Sequence, residues 1–134
     1  MTNDFQGSNI IAYSNGQNGI YVVNSKNVHL TGEAYSNTWS GLSIVDCWDI
    51  SIDFHAHDND SNGIGLAEVD GFIIRGMYKD NNQGAQADWT LKNGIIVYDA
   101  TNASENGLIL GVDVSDDQGT ATQYRGIVTG KSVL

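Results

Sequence analysis

Five ionisable side chains stand at alternating positions on two segments of the chain. Asp53, His55 and His57 alternate with apolar residues, and Arg75 and Lys79 follow Asp53 and His57 by 22 positions. Alternation with period two places side chains on one face of a strand. Histidines and carboxylates beside cations suit acid–base chemistry on an acidic sugar, where cations stabilise an enolate-like intermediate. These five residues are the catalytic candidates; the alternative is a solvated face with ion pairs such as Asp53–Arg75, each worth about 0–1 kcal/mol.

The segment HDNDSNG, which begins at His57, starts like an EF-hand calcium loop. The twelfth position of that loop is Val69 where glutamate is required, and the flanking residues have the pattern of strands. Similar segments begin 22 and 44 residues earlier, at Tyr35 and Tyr13. We therefore interpret the segment as a repeated corner and predict no metal or other cofactor, with Asp58 and Asp60 as a weak candidate Ca²⁺ site.

Aromatic residues form a third candidate site. Trp39, Trp89 and Tyr124 lie between predicted strands, and Tyr35 lies on the same predicted face as His57. Flat apolar rings suit the C–H faces of sugars. These four residues are the predicted carbohydrate-binding residues; the alternative is that they shield the edge of the core.

A column of mostly acidic residues follows the first strand of each repeat: Asn24, Asp46, Glu68, Asp99 and Lys131. Stacked carboxylates about 5 Å apart recruit a cation or raise a pKa. The alternative, which we favour, is a turn ladder whose carboxylates accept hydrogen bonds from backbone N–H groups.

The elements that position these residues are set by an internal repeat. Predicted strands of the form Gly-Ile/Leu-x-Val/Ile/Leu begin at Gly19, Gly41 and Gly63, with a spacing of 22 residues between successive copies. Further copies begin at Gly94 and Gly126. The apolar positions alternate and align between copies, including Val28, Ile50, Phe72 and Leu108, and then Leu30, Ile52, Ile74 and Leu110. A unit this short cannot bury its own apolar face, but stacked units can. The repeat predicts an all-β chain: a parallel β-solenoid of about five coils, roughly 22 residues each, with three short strands per coil.

The unit Gly-Ile-x-Val, a polar turn, Asn-Val-x-Leu, then a small residue and Asn resembles the coil of right-handed parallel β-helices of the pectate-lyase-like superfamily. Mannuronan C5-epimerase modules and phage tailspikes are similar in style. The resemblance implies a right-handed β-helix and a polysaccharide as ligand. The epimerases carry Asp-Pro-His-Glu on the strand equivalent to Gly-Ile-x-Val, and this chain has neither that tetrapeptide nor any proline. We therefore transfer no catalytic residue from that family.

Length and charge limit the partners. The 134 residues suit one domain, and the net charge of −10 argues against nucleic acid or an anionic membrane as a partner.

We expect a single β-helix domain over 1–134 that is a fragment of a longer protein, with a candidate N-terminal cap at 1–8 and inserted loops at 82–93 and 118–125. The expected partners are a polysaccharide and either a homotrimer or flanking coils of the parent protein, at an extracellular or virion-surface location.

Three functions follow from these patterns. The first is a polysaccharide-recognising module of a phage tailspike or of a secreted carbohydrate-active protein. The second is a structural solenoid without a ligand. The third is a lyase, epimerase or hydrolase that acts on an acidic glycan at the Asp53/His55/His57/Arg75/Lys79 face.

Overall fold

A computed structural model describes residues 2–84, 87–99, 101–118, 123 and 125–131. Its elements are nine strands within those ranges and one short 3₁₀ helix, Trp89–Leu91. The strands are β1 Thr2–Asn3, β2 Gln6–Tyr13, β3 Ile20–Val23, β4 Ser25–Tyr35, β5 Leu42–His57, β6 Ile64–Lys79, β7 Asn93–Asp99, β8 Glu105–Asp113 and β9 Arg125–Lys131.

Every strand pairing is parallel, and each strand pairs with its equivalent one coil away. β4 pairs with β5 from Lys26↔Trp48 to Tyr35↔His57, an offset of 22 residues, and β5 pairs with β6 at the same offset. β7 and β8 then continue the two halves of β6. Together these pairings make the chain a parallel β-helix, as the repeat predicts.

The core consists of the predicted apolar columns. Ile20, Leu42, Ile64, Ile95 and Ile127 stack in register, and Ile50 and Ile52 lie between their equivalents on β4 and β6. Most of these side chains are fully buried. A Cβ on Gly76 would meet the backbone of Phe54, which shows how closely the coils approach there.

The predicted inward positions of Leu108 and Leu110 are wrong. Phe72 pairs with Gly107 and Ile74 with Ile109, so Leu108 and Leu110 point outward and are exposed. The physical reason is space, because a Cβ on Gly107 would collide with the ring of Phe72.

Each coil turns at residues with left-handed backbone conformation. The three sets are Asn24, Asp46 and Glu68; Asp4, Asn27, Asp49, Gly71 and Asn106; and Ser14, Ser36, Asp58 and Asp80. Asn, Asp and Gly tolerate positive φ better than other residues, which explains most of the polar corners in the repeat.

A buried ladder of side-chain amides runs along one corner. Asn15, Asn37 and Asn59 each donate from Nδ2 to the Oδ1 of the next ladder asparagine at 2.9 Å, and the last acceptor of this type belongs to Asn81. Asn81 in turn donates to Gln123 Oε1 at 3.3 Å, so a glutamine continues the ladder at this end.

The candidate cap at 1–8 is part of the coil over its described residues. β1 pairs with β4 at Thr2↔Ser25, and β2 pairs with it from Gln6↔His29 onward. Phe5, which lies between them, is 37% exposed rather than buried in the core. No helix within the described ranges is long and apolar enough to cross a membrane.

Candidate functional site

A groove of about 400 Å³ lies on the outer face of the sheet formed by β3, β5, β6 and β7. The order of side-chain sizes makes it concave. One outward row runs Tyr21, Ser43 and Gly65, so that the side chains become smaller across the sheet, and Tyr98 on β7 lines the groove at the far side. The volume is at the lower end of the range of pockets that bind small molecules.

Aromatic residues stand at opposite sides of this groove. Tyr21 and Trp39 are 58% and 56% exposed, and Tyr98 is partly buried. Burial raises the pKa of Tyr98, and the charge of Glu68 adds to the effect. Tyr98 therefore keeps its proton and its hydrogen-bonding capacity at neutral pH.

Backbone hydrogen bonds between neighbouring coils hold the Trp39 loop. Trp39 N donates to Gln17 O at 3.2 Å, and Trp39 O accepts from Ser61 N at 3.3 Å. The exposed ring therefore extends from a fixed main chain, which reduces the entropy lost when a ligand binds.

The inserted loop at 82–93 contributes the far wall. Thr90 and Leu91 line the groove, and their carbonyls accept hydrogen bonds from Asn62 Nδ2 at 2.6 Å and Ser61 Oγ at 3.0 Å. None of the described residues that line the groove carries a charge. Amides, hydroxyls and aromatic rings are groups that recognise neutral sugars.

The four predicted carbohydrate-binding residues have different outcomes. Trp39 lines the groove, whereas Tyr35 stacks between Tyr13 and His57 at ring distances of 5.2 Å on a different face. Trp89 begins the 3₁₀ helix at the groove wall, but its side chain lies outside the described part, as does all of Tyr124. Tyr21 and Tyr98 line the groove without having been predicted as binding residues; their outward positions beside small residues were the available signal.

The second candidate site is where the predicted histidine pair meets Glu33. His57 Nε2 lies 3.0 Å from Glu33 Oε1, and His55 Nδ1 lies 3.5 Å from the same oxygen. On its other side, His57 Nδ1 lies 2.7 Å from Asp58 Oδ2. β4 and β5 place Glu33 and His55 opposite each other, at the 22-residue offset of the repeat.

The two histidines differ in basicity. Burial acts to lower the pKa of His57, but its hydrogen bonds to Asp58 and Glu33 outweigh burial and raise that pKa above its usual value. Burial lowers the pKa of His55, and the charge of His57 lowers it further. Of the pair, His57 is therefore the one that holds a proton more firmly.

The other three catalytic candidates bind none of these three side chains, although Lys79 lies next to His57 in register on the following coil. The Lys79 ammonium pairs with Asp113 at 2.9 Å and with Asp117 at 3.2 Å, and hydrogen bonds to these carboxylates raise its pKa. Asp53 and Arg75 face each other in register, yet no ion pair within 4.0 Å joins these two described side chains. The structure therefore brings His55 and His57 together with Glu33, and engages Lys79 elsewhere.

Two further predicted clusters have local partners. Asp58 uses its second carboxylate oxygen to accept from Gln118 Nε2 at 3.2 Å, and a Ca²⁺ site at Asp58 and Asp60 stays a prediction. In the acidic column, Glu68 accepts from Thr101 N and Asp99 from Ser104 N, each at 2.6 Å. These two carboxylates accept from backbone N–H groups as the turn-ladder interpretation expects, whereas Asp46 makes no such bond among the described contacts.

Comparisons with protein-family models and with curated protein sequences produced no match. The fold resembles that of a solved structure, the A-module of Azotobacter vinelandii mannuronan C-5 epimerase AlgE6. The TM-score is 0.60 at 17% sequence identity, over 99% of this chain and 47% of that chain. The protein thus spans about half the length of this neighbour, and the similarity concerns the fold alone.

Proposed function

We propose that the protein is a polysaccharide-recognising β-helix module of a phage tailspike or of a secreted carbohydrate-active protein. The observation that carries the proposal is the groove between Tyr21, Trp39 and Tyr98 on a rigid parallel sheet. A sugar ring that stacks on Trp39 keeps its hydroxyls free for the amides of Gln17 and Asn18. The module of similar fold is a mannuronan C-5 epimerase, and this supports a polysaccharide as the ligand.

Charge favours a neutral stretch of polysaccharide over a polyuronate. The chain carries −10 overall, and the part of the groove lining that the structure describes has no cationic side chain. A carboxylate placed there would lose hydration without gaining an ion pair. This function fits an extracellular or virion-surface protein.

The proposal includes an assembly of coils. Leu108, Leu110 and Ile127 on β8 and β9 are 41–48% exposed, and further coils of a longer protein or a homotrimer would cover them. Light scattering after size-exclusion chromatography measures the oligomeric state. A monomer over the whole concentration range would remove the homotrimer from the proposal.

Affinity electrophoresis in gels that contain neutral or acidic polysaccharides tests the ligand. We expect at least one neutral polysaccharide to retard the protein, and Trp39→Ala to weaken binding about tenfold, or roughly 1–2 kcal/mol. Tyr13→Ala is the matched control, since Tyr13 is 56% exposed but lies outside the groove. Equal retardation of the two variants, or no retardation in any polysaccharide, would contradict the proposal, and the second result would favour a structural solenoid.

A further inference from the structure

The strongest unassigned chemistry in the molecule is the cluster of Glu33, His55 and His57. Among the described residues, one carboxylate oxygen and two imidazole nitrogens come within 4.8 Å of one another there. The three donors belong to adjacent coils, with Glu33 on β4 and both histidines on β5. We propose that these three side chains form a binding site for a divalent transition metal ion of the Zn²⁺ type.

The distances between donors match the size of such an ion. Zn²⁺ binds nitrogen and oxygen at about 2.0–2.2 Å, so that tetrahedral ligands stand about 3.3 Å apart. Glu33 Oε1 lies 3.0 Å from His57 Nε2 and 3.5 Å from His55 Nδ1. The third distance, between the two histidine nitrogens, is within 4.8 Å, so side-chain rotation that draws these nitrogens together places an ion between the three atoms.

The surroundings of His57 are those of a metal ligand. Its Nδ1 lies 2.7 Å from the Asp58 carboxylate, which orients the imidazole so that Nε2 points toward Glu33, and a metal ion would take the place of the Nε2 proton. Tyr35 stacks on the ring at 5.2 Å with an interplanar angle of 8° and limits its rotation. The ligand is thus held in its binding orientation by side chains outside the site.

The lysine beside His57 is already paired with carboxylates. Lys79 stands next to His57 in register on the following coil, where an unpaired ammonium would repel a metal ion. Two carboxylates bind that ammonium, those of Asp113 and Asp117. The electrostatic cost of a cation beside Lys79 is reduced accordingly.

The donor set selects the class of ion. Two imidazoles and one carboxylate suit Zn²⁺, Co²⁺, Ni²⁺ or Cu²⁺, whereas Ca²⁺ and Mg²⁺ prefer oxygen ligands alone. Three protein ligands leave a fourth tetrahedral position open for water or an exogenous ligand. The ligand side chains are 23–37% exposed, so solvent reaches the site.

Isothermal titration of the untagged protein with ZnCl₂ tests the site. We expect one ion per chain, a rise in Tm at saturation, and a Co²⁺ complex with the visible spectrum of tetrahedral coordination. His57→Ala and Glu33→Gln should each weaken binding at least about tenfold, and Asp58→Asn about 10- to 100-fold. Circular dichroism of each variant verifies its fold.

His29 provides the control. It is exposed on β4, lies outside the cluster, and is one of the three histidines in the chain. His29→Ala should bind Zn²⁺ as the wild type does. The proposal is overturned if Zn²⁺ does not bind saturably, or if His29→Ala loses as much affinity as His57→Ala.

Discussion

The buried amide ladder should contribute a large part of the stability of this fold, and Asn59→Ala tests it. The Asn59 side chain is fully buried and donates to Asn81 Oδ1 at 2.9 Å and to Ala34 O at 3.1 Å. Its Oδ1 accepts from Asn37 N at 3.2 Å and from Asn37 Nδ2 at 2.9 Å. One substitution therefore removes four hydrogen bonds.

The expected loss can be worked out from these partners. Four hydrogen bonds at roughly 1 kcal/mol each give about 4 kcal/mol. The Asn37 N–H is left without the acceptor that it has in the structure, which adds a desolvation cost, while relaxation of the corner recovers some of the loss. We expect Asn59→Ala to lower the free energy of unfolding by about 3–5 kcal/mol, a large share of the roughly 5–15 kcal/mol typical of a domain.

Equilibrium urea unfolding, followed by circular dichroism and by tryptophan fluorescence, measures this loss. Asn15→Ala is the matched control, because Asn15 is an exposed member of the same ladder and its side chain makes one of the ladder bonds, to Asn37 Oδ1. It should cost less than about 1 kcal/mol. If the two variants differ by less than about 0.5 kcal/mol, the reasoning about the buried ladder is refuted.

Three further predictions concern the core. Tyr78→Phe should lower the free energy of unfolding in urea by about 1 kcal/mol, because the hydroxyl donates to a backbone carbonyl at 2.9 Å. Burial raises the pKa of Tyr78, so ionisation favours the unfolded chain and the wild type should lose stability above about pH 10. The variant, which lacks the hydroxyl, should lose less stability over the same pH range. The Cys47 thiol is fully buried and burial raises its pKa, so a thiol reagent should react much faster in urea than with the native protein, and equal rates would contradict its burial. Gly76→Ala should lower the free energy of unfolding by more than about 2 kcal/mol, since the φ of Gly76 is 109° and a Cβ there would collide with the Phe54 backbone. Gly16→Ala is the control. A Cβ on Gly16 would have no neighbouring atom within 4 Å, so this variant should lose less than about 0.5 kcal/mol.

The regular part of this protein is readable from its sequence. The uninterrupted 22-residue spacing from Gly19 to Gly63 predicts the strand pairing, because parallel stacking puts equivalent residues of successive units side by side. It also predicts that Glu33 faces His55, since both point outward from equivalent strands. Polar residues with a tolerance for positive φ mark the corners between these strands.

Tertiary structure decided what the repeat leaves open. Leu108, Ile109 and Leu110 are consecutive apolar residues, so alternation permits either register, and the bulk of Phe72 next to Gly107 selects one. Gln123 rather than Asp117 continues the amide ladder because the inserted loop interrupts the spacing and Asp117 pairs with Lys79. The groove also depends on the fold, since its concavity comes from side-chain sizes summed over several coils and from a loop that returns to the sheet. Local periodicity therefore determined the coil, while volume and the return of the insertions determined where a ligand can bind.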